Sequence, residues 1–166
     1  MRVNNEKGFS LVELLVVVII IAIVAAIAIP NLLASRRAAN AASAISSLRT
    51  YHSAEVLYAS LIGLAIHQPY TNNFFQLSNA GFIDSTLGPL GVPKKSGYTF
   101  TFSNEFVTQT NYCISASPDT MGVTGDRIFA ISSSTGGAIY QSAPAGAGPP
   151  TCNNGSMVIG SSTAIN

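Results

Sequence analysis

The sequence predicts an α+β fold in which one long N-terminal helix packs on a small antiparallel sheet. Two observations predict the helix: residues 14–29 are sixteen consecutive apolar residues, and helix-forming residues continue to about position 62. A third observation predicts the sheet, because apolar and polar residues alternate between glycine-containing turns from position 98 to 141. A chain of 166 residues has room for one modest globular domain beyond the apolar segment.

The first part of the predicted helix is long enough to cross a membrane. From Phe9 to the residue before Pro30 it has 21 residues, which suits a ~30 Å hydrocarbon core. Arg2 and Lys7 precede the apolar run, so the positive-inside rule places the N-terminus in the cytoplasm and the chain after Pro30 outside. The run AAIAIP leads directly into more helix and not into a secretory cleavage site, so we expect the helix to be retained.

A single carboxylate, Glu13, interrupts the start of this apolar segment. A charged side chain costs about 2.5 to 3.5 kcal/mol at the centre of a membrane helix on insertion scales, so an ordinary anchor would be more stable without it. One interpretation is that the side chain extends to the membrane surface. The other is that the protein has a use for the buried charge.

The residues around Glu13 form a specific pattern. A short basic leader ends in Gly8 and is followed by Phe9, Ser10, a Leu-Val-Glu-Leu run, a long aliphatic stretch and Pro30. This pattern resembles the class III signal of type IV pilins and of the related type II secretion pseudopilins. In that family a prepilin peptidase cuts after the glycine and methylates the new N-terminal phenylalanine. The resemblance implies cleavage between Gly8 and Phe9, and it implies the pilin fold for the chain.

The same resemblance makes Glu13 and Pro30 assembly residues. Cleavage would free an ammonium group on Phe9, one helical turn from Glu13, and the ammonium of a neighbouring subunit would compensate the buried carboxylate in low dielectric. Such pairing would fix the stagger between subunits, as buried polar residues fix register in coiled coils. Pro30 is expected to kink or loosen the helix, because proline removes a backbone donor.

Six segments are predicted along the chain. They are a cleaved leader at 1–8, a transmembrane and filament-core helix at 9–30, its amphipathic continuation at 31–62, a loop between helix and sheet at 63–97, a sheet of about four strands at 98–141, and an irregular C-terminal region at 142–166. Within the loop, Asn73 and Gly81 are predicted to bound a short helix at 74–80.

The continuation of the helix carries a mostly alanine stripe on one face. At 100° per residue the stripe contains Ala34, Ala38, Ala41, Ile45, Leu48, His52, Val56 and Ala59. Leu57 and Leu61 lie on another side, which predicts that only the last turns are buried all round, under the globular domain. Tyr51 and Tyr58 are interpreted as packing residues.

Cys113 and Cys152 are the only cysteines of the chain. An even pair in an exported domain is more often a disulfide than a metal or redox site, and no CxxC accompanies them. The span that they would close resembles the disulfide-bounded C-terminal region of many pilins. Bonding would tie the C-terminal region back to the sheet and contribute a few kcal/mol.

Other chemistry is weakly supported by the sequence. The net charge of +1, from 8 basic and 7 acidic residues, does not suggest a nucleic-acid surface. Asp119 and Asp126 lie in one glycine-containing loop, but calcium needs six to eight oxygen ligands, so a plain turn with Asp126 and Arg127 in solvent is the preferred interpretation. His52 lacks catalytic partners and is expected to be a satisfied buried or interfacial histidine. We expect no enzyme, no cofactor and no metal.

The resemblance implies a structural subunit of a type IV pilus. Its expected partners are identical subunits in a helical homopolymer, prepilin peptidase, an assembly platform protein and a cytoplasmic ATPase. The precursor would sit in the bacterial inner membrane and the assembled pilus outside the cell, for adhesion, twitching motility or DNA uptake. A type II secretion pseudopilin or minor pilin is the alternative, and a stand-alone membrane-anchored binding domain is the third possibility.

Overall fold

A computed structural model describes residues 8–63, 65, 69–71, 73–102, 111–142, 150–153, 156–158 and 162–165. Contacts within the chain divide it into two units, Met1–Arg36 and Arg37–Asn166. The predicted leader up to residue 7, including the charges of Arg2 and Lys7, lies outside the described residues.

Helix α1 (Leu11–Tyr58) has 48 residues and continues into a π-helical turn at Ala59–Gly63. Its first turn is closed by the Leu14 N–H, which donates to the Ser10 carbonyl at 3.3 Å. Pro30 lies inside α1 and does not end it. A second helix, α2 (Phe74–Asn79), begins where the sequence predicts, because the Asn73 side chain accepts a hydrogen bond from the Gln76 N–H at 2.9 Å.

Eight strands follow in the described part of the second unit: β1 (Lys94–Lys95), β2 (Tyr98–Phe102), β3 (Cys113–Pro118), β4 (Phe129–Ser132), β5 (Ile139–Gln141), β6 (Thr151–Asn153), β7 (Ser156–Val158) and β8 (Thr163–Ile165). Six of them form one antiparallel sheet in the order β1-β2-β3-β4-β5-β8, and β6 pairs with β7 separately. The predicted α+β class is confirmed.

One face of the six-stranded sheet packs on α1 and α2. The register aligns Phe100 of β2 with Ala116 of β3 and Phe129 of β4, all three of them buried. From the helix side, the Tyr51 ring lies 5.5 Å from the ring of Phe100 and 4.6 Å from that of Phe74, measured between centroids. These aromatic contacts close the core between the two layers.

The buried face of α1 differs from the predicted alanine stripe. The buried residues are Ala44, Ser47, Leu48, Tyr51, Ala54, Glu55 and Tyr58. Val56, Leu57 and Leu61 are exposed, so the prediction that the last turns are buried all round is wrong. A stripe of apolar residues does not find this face, because two of its buried residues, Ser47 and Glu55, are polar. Their polar groups are satisfied inside the protein, in the case of Ser47 by donation to the Ser43 carbonyl at 3.0 Å.

The sequence predicts an irregular C-terminal region at 142–166, after a sheet of about four strands at 98–141. The structure instead places three short strands in this region. Strand β8 extends the main sheet by pairing with β5, while β6 contacts β3 and β7 contacts β4. Pairing with existing strands orders these segments, and three-residue strands are too short to show an alternating pattern.

The turn between β4 and β5 generates a prediction about Gly137. Its φ is +81°, and an added Cβ would overlap the ring of His52, whereas Gly122 has a similar φ of +78° with open space around it. Gly122→Ala should cost about 1 kcal/mol through backbone strain alone, and Gly137→Ala about 2 to 4 kcal/mol through strain plus overpacking. Urea unfolding of the detergent-solubilised chain measures both; equal losses would contradict a structural contact between Gly137 and His52.

Candidate processing and assembly site

The predicted cleavage bond, between Gly8 and Phe9, precedes helix α1. Neither residue belongs to a helix or strand, and the Phe9 side chain is 82% exposed. A Cβ added to Gly8 would meet no atom within 4 Å. The bond therefore lies in an exposed, non-helical segment of the single chain.

Glu13 lies in the first turn of α1 and is exposed. Glu13 follows Phe9 by four residues, but α1 begins only at Leu11, so Phe9 precedes the helix in the single chain. A carboxylate in this position also interacts favourably with the positive end of the helix dipole. Neither ion pair in the described part of the chain includes Glu13. Pro30, the other predicted assembly residue, lies 17 positions further along α1, so the single chain does not bring the two together.

The aliphatic side chains that follow Glu13 are exposed in the single chain. Those with large exposed fractions are Leu14, Leu15, Val16, Val17, Val18, Ile19, Ile20, Ile21, Ile23, Val24, Ile27, Ile29, Leu32 and Leu33. The helix Leu11–Gly63 is long and apolar enough to cross a membrane by length and composition. Such a surface needs lipid or other protein chains to cover it.

A disulfide joins Cys113 of β3 to Cys152 of β6, with Cα atoms 5.7 Å apart and a sequence separation of 39. Cys113 is fully buried and Cys152 is partly exposed. The bond holds the β6–β7 pair against the face of the sheet that α1 does not cover.

The two loop carboxylates considered for calcium both contact cations of the chain. Asp119 accepts hydrogen bonds from the Thr99 hydroxyl and, at 3.2 Å, from Lys94; the Thr99 bond, together with Lys94, lowers the pKa of Asp119. Asp126 accepts two hydrogen bonds from one Arg37 nitrogen, at 3.0 and 3.2 Å. Among the described residues, no group of three or more His, Cys, Asp or Glu is placed to hold a metal.

His52 is satisfied by a structural partner. Its Nδ1 forms a hydrogen bond with the Tyr112 hydroxyl, and burial lowers the pKa of His52. The Tyr112 ring in turn packs edge-on against Tyr70, with centroids 5.0 Å apart. This environment agrees with the predicted satisfied histidine.

Glu55 is a polar site that the sequence analysis missed. It has no exposed surface, and its carboxylate accepts hydrogen bonds from the Thr71 N–H at 3.0 Å and from the Thr71 hydroxyl. A signal for it was present, because Leu48, Tyr51, Glu55 and Tyr58 follow one another at spacings of three and four along one helical face. A carboxylate within an apolar stripe indicates a buried partner.

The N-terminal geometry agrees with a comparison against known protein families. Residues 3–29 match the prokaryotic N-terminal methylation motif. This match agrees with the resemblance of the N-terminal residues to the class III signal of type IV pilins and pseudopilins. The match covers the predicted cleavage bond and most of the apolar segment, but none of the second unit, Arg37–Asn166, which we call the head. Comparisons with curated proteins and with solved structures returned no match.

The disulfide generates a prediction about stability. Cys152→Ser removes the cross-link at the more accessible cysteine, and it should lower the free energy of unfolding by about 2 to 4 kcal/mol because the unfolded chain gains freedom. Guanidinium unfolding of the detergent-solubilised chain under oxidising conditions measures the loss. Reductant serves as the control, since it should bring the wild type down to the variant; a wild type that unfolds at the same denaturant concentration as Cys152→Ser without reductant would argue against the bond.

Proposed function

We propose that this chain is the structural subunit of a type IV pilus, cleaved between Gly8 and Phe9 and polymerised into a helical surface filament. The observation that carries the proposal is the methylation motif at residues 3–29, which surrounds an exposed, non-helical cleavage bond. In this proposal the role is structural and not enzymatic. Prepilin peptidase processes the precursor in the inner membrane, and a platform protein with a cytoplasmic ATPase drives its extraction.

The exposed aliphatic surface of α1 supports assembly through packing. A subunit that leaves the bilayer exchanges lipid contacts for contacts with other helices, and lipid tails are as apolar as leucine side chains. The hydrophobic effect is therefore nearly neutral in this exchange. Close packing and charge pairing must select the filament over the membrane-held subunit.

Glu13 supplies the charge in this proposal. Cleavage leaves an ammonium group on Phe9, four residues before Glu13 in the sequence. When both groups enter a low-dielectric filament core, each needs an opposite charge, and an unpaired ion there costs several kcal/mol. Pairing between neighbouring subunits satisfies both groups at only one stagger of the two helices. Every other stagger leaves unpaired charges in the filament core and is therefore less stable. The exposed position of Glu13, clear of both ion pairs in the described chain, is consistent with an external partner.

One feature of the head favours a pilus subunit over a type II secretion pseudopilin. By family resemblance, major pseudopilins carry calcium-binding carboxylates toward the C-terminus, and this chain has no acidic residue after Asp126. Asp119 and Asp126 contact Lys94 and Arg37. Both carboxylates of this loop are therefore paired with cations of the chain. The same filaments would serve adhesion, twitching motility or DNA uptake.

The intact mass of the protein in filaments sheared from the cell surface tests the proposal. We expect a chain that starts at methylated Phe9. Gly8→Arg is the matched variant: it adds bulk beside the cleavage bond, where the single chain has open space, so the fold should survive while processing is lost. A processed chain confined to the membrane fraction would support the pseudopilin or minor-pilin alternative, and an uncut Met1 form of the wild type would contradict processing altogether.

Replacing Glu13 tests the charge pairing. Glu13→Ala should leave insertion and cleavage intact but lower the yield of sheared filaments by at least about tenfold, because a buried charge loses its partner. Val12→Ala is the control, since it truncates the exposed apolar neighbour without touching charge. The readout is the ratio of filament to membrane-held processed subunit. Equal ratios for the wild type and Glu13→Ala would refute the pairing.

A further inference from the structure

Contacts between α1 and the sheet show which end of each strand lies near the start of the head. The Ser43 hydroxyl lies 3.0 Å from the Ser96 hydroxyl, in the turn before β2, and further along both elements the Tyr51 ring packs on Phe100. Strand β2 therefore runs in the same direction as α1. Strand β3 is antiparallel to β2, so its last residue, Pro118, lies toward the start of the head.

The loop between β3 and β4, residues 119–128, lies against the first helical turn of the head. The Asn40 side chain donates to the Thr124 carbonyl at 2.9 Å, and one Arg37 nitrogen donates to both carboxylate oxygens of Asp126. Arg37 is the first residue of the head. The loop is therefore bound at the end of the head where the chain connects to the apolar segment.

The tip of this loop is apolar and exposed. Met121 is 55% exposed and Val123 is 62% exposed, and between them lies Gly122, where an added Cβ would meet no atom within 4 Å. The Gly122 N–H donates to the Gly125 carbonyl at 2.9 Å, which closes the tip into a tight turn. The loop thus presents two large apolar side chains on a turn that is held by its own backbone.

The charges beside the tip are compatible with a lipid headgroup layer. Asp119 and Asp126 are paired with Lys94 and Arg37, so neither carboxylate is left uncompensated toward lipid phosphates. Arg127 adds a further positive charge to the same loop. Anionic headgroups attract such a surface, and apolar side chains beside the cations can enter the boundary between headgroups and acyl chains.

The order of charges along the chain places this loop relative to a membrane. Residues 14–35 carry no charge, and Arg36 and Arg37 are the first charged residues after Glu13. A charged side chain is costly in hydrocarbon, and long arginine side chains extend to the headgroups. In the membrane-held precursor of the proposed function, Arg37 would lie at the headgroup layer, and the loop bound to it would lie at the same level.

We propose that the tip of the β3–β4 loop contacts the membrane, with Met121 and Val123 inserted into the headgroup layer on the side of the head. The partner is a lipid surface, because the loop is bound to the residue at which the apolar segment gives way to charge. The proposal rests on the membrane-held stage of the proposed function and not on the filament. Extraction of the subunit would then break this second lipid contact as well as that of the apolar helix.

A single introduced tryptophan tests the contact, since the chain has none of its own. Val123→Trp in the full-length chain is reconstituted in vesicles of phosphatidylcholine and phosphatidylglycerol, with or without bromine on the first acyl carbons. Bromine quenches tryptophan at short range. We expect bromine to remove about half of the Val123→Trp emission, because a tryptophan at the headgroup level lies beside these carbons. Met121→Trp should respond in the same way.

Leu90→Trp is the matched control. Leu90 is apolar and 87% exposed, and it lines an open cavity together with Phe74 and Phe102, at the end of β2 that is remote from the loop. Tyr51, which packs on Phe74, is fourteen residues along α1 from Arg37, or about 21 Å in an α-helix. Bromine should therefore remove at most about a tenth of the Leu90→Trp emission.

Ile20→Trp, within the apolar segment, distinguishes failure of the loop contact from failure of membrane anchoring. Quenching of Ile20→Trp without quenching of Val123→Trp and Met121→Trp would overturn the loop contact alone. Equal quenching of Leu90→Trp would also overturn it, because the head would then have no preferred end at the membrane. A blue shift of Val123→Trp that grows with protein density and ignores bromine would assign the tip to a second copy of the chain. Unquenched Ile20→Trp would overturn the membrane-held stage together with the loop contact.

Discussion

The packing of the head depends on which face of α1 is turned toward the sheet. Tyr51 is fully buried, packs on the sheet through Phe100, and donates its hydroxyl to the Leu87 carbonyl at 2.8 Å. A helix rotated to bury Val56 and Leu57 would cover aliphatic surface that is now exposed. The observed rotation buries polar atoms instead, and each has a specific bond. Apolar area alone does not select this face of α1. The hydrogen bonds of its buried polar side chains are directional, so they form at only one rotation of the helix about its axis.

Local chemistry made much of the fold predictable. The α+β class follows from a long helical run and alternating strands, and the start of α2 follows from the Asn73 cap, because a cap acts within four residues. The β6–β7 pair and β8 were missed for the opposite reason. Three-residue strands gain their order from partners elsewhere in the chain, here β5 and the disulfide from Cys113 to Cys152, and no window of sequence contains those partners.

The candidate sites also differ in how far the sequence alone predicts them. The processing signal at Gly8, Phe9 and Glu13 is readable because all its parts are contiguous, so spacing alone carries the pattern. The environment of Glu55 is not readable, because its donors come from Thr71, sixteen positions away, and only the folded chain brings them together. An alternating spacing of three and four residues would have placed Glu55 on the buried face of α1. It could not have identified Thr71 as the residue that donates to Glu55.

The two glutamates of α1 show how the same chemical group serves two purposes. Both lie among apolar residues, where an unpaired charge is costly. Glu55 is enclosed by its own chain, and the N–H and hydroxyl of Thr71 in the same molecule donate to its carboxylate. Glu13 is exposed and has no ion-pair partner in the described chain, so any compensation on leaving water must come from outside. On the proposed function that partner is another subunit, and the cost of the isolated charge then favours assembly over the free chain.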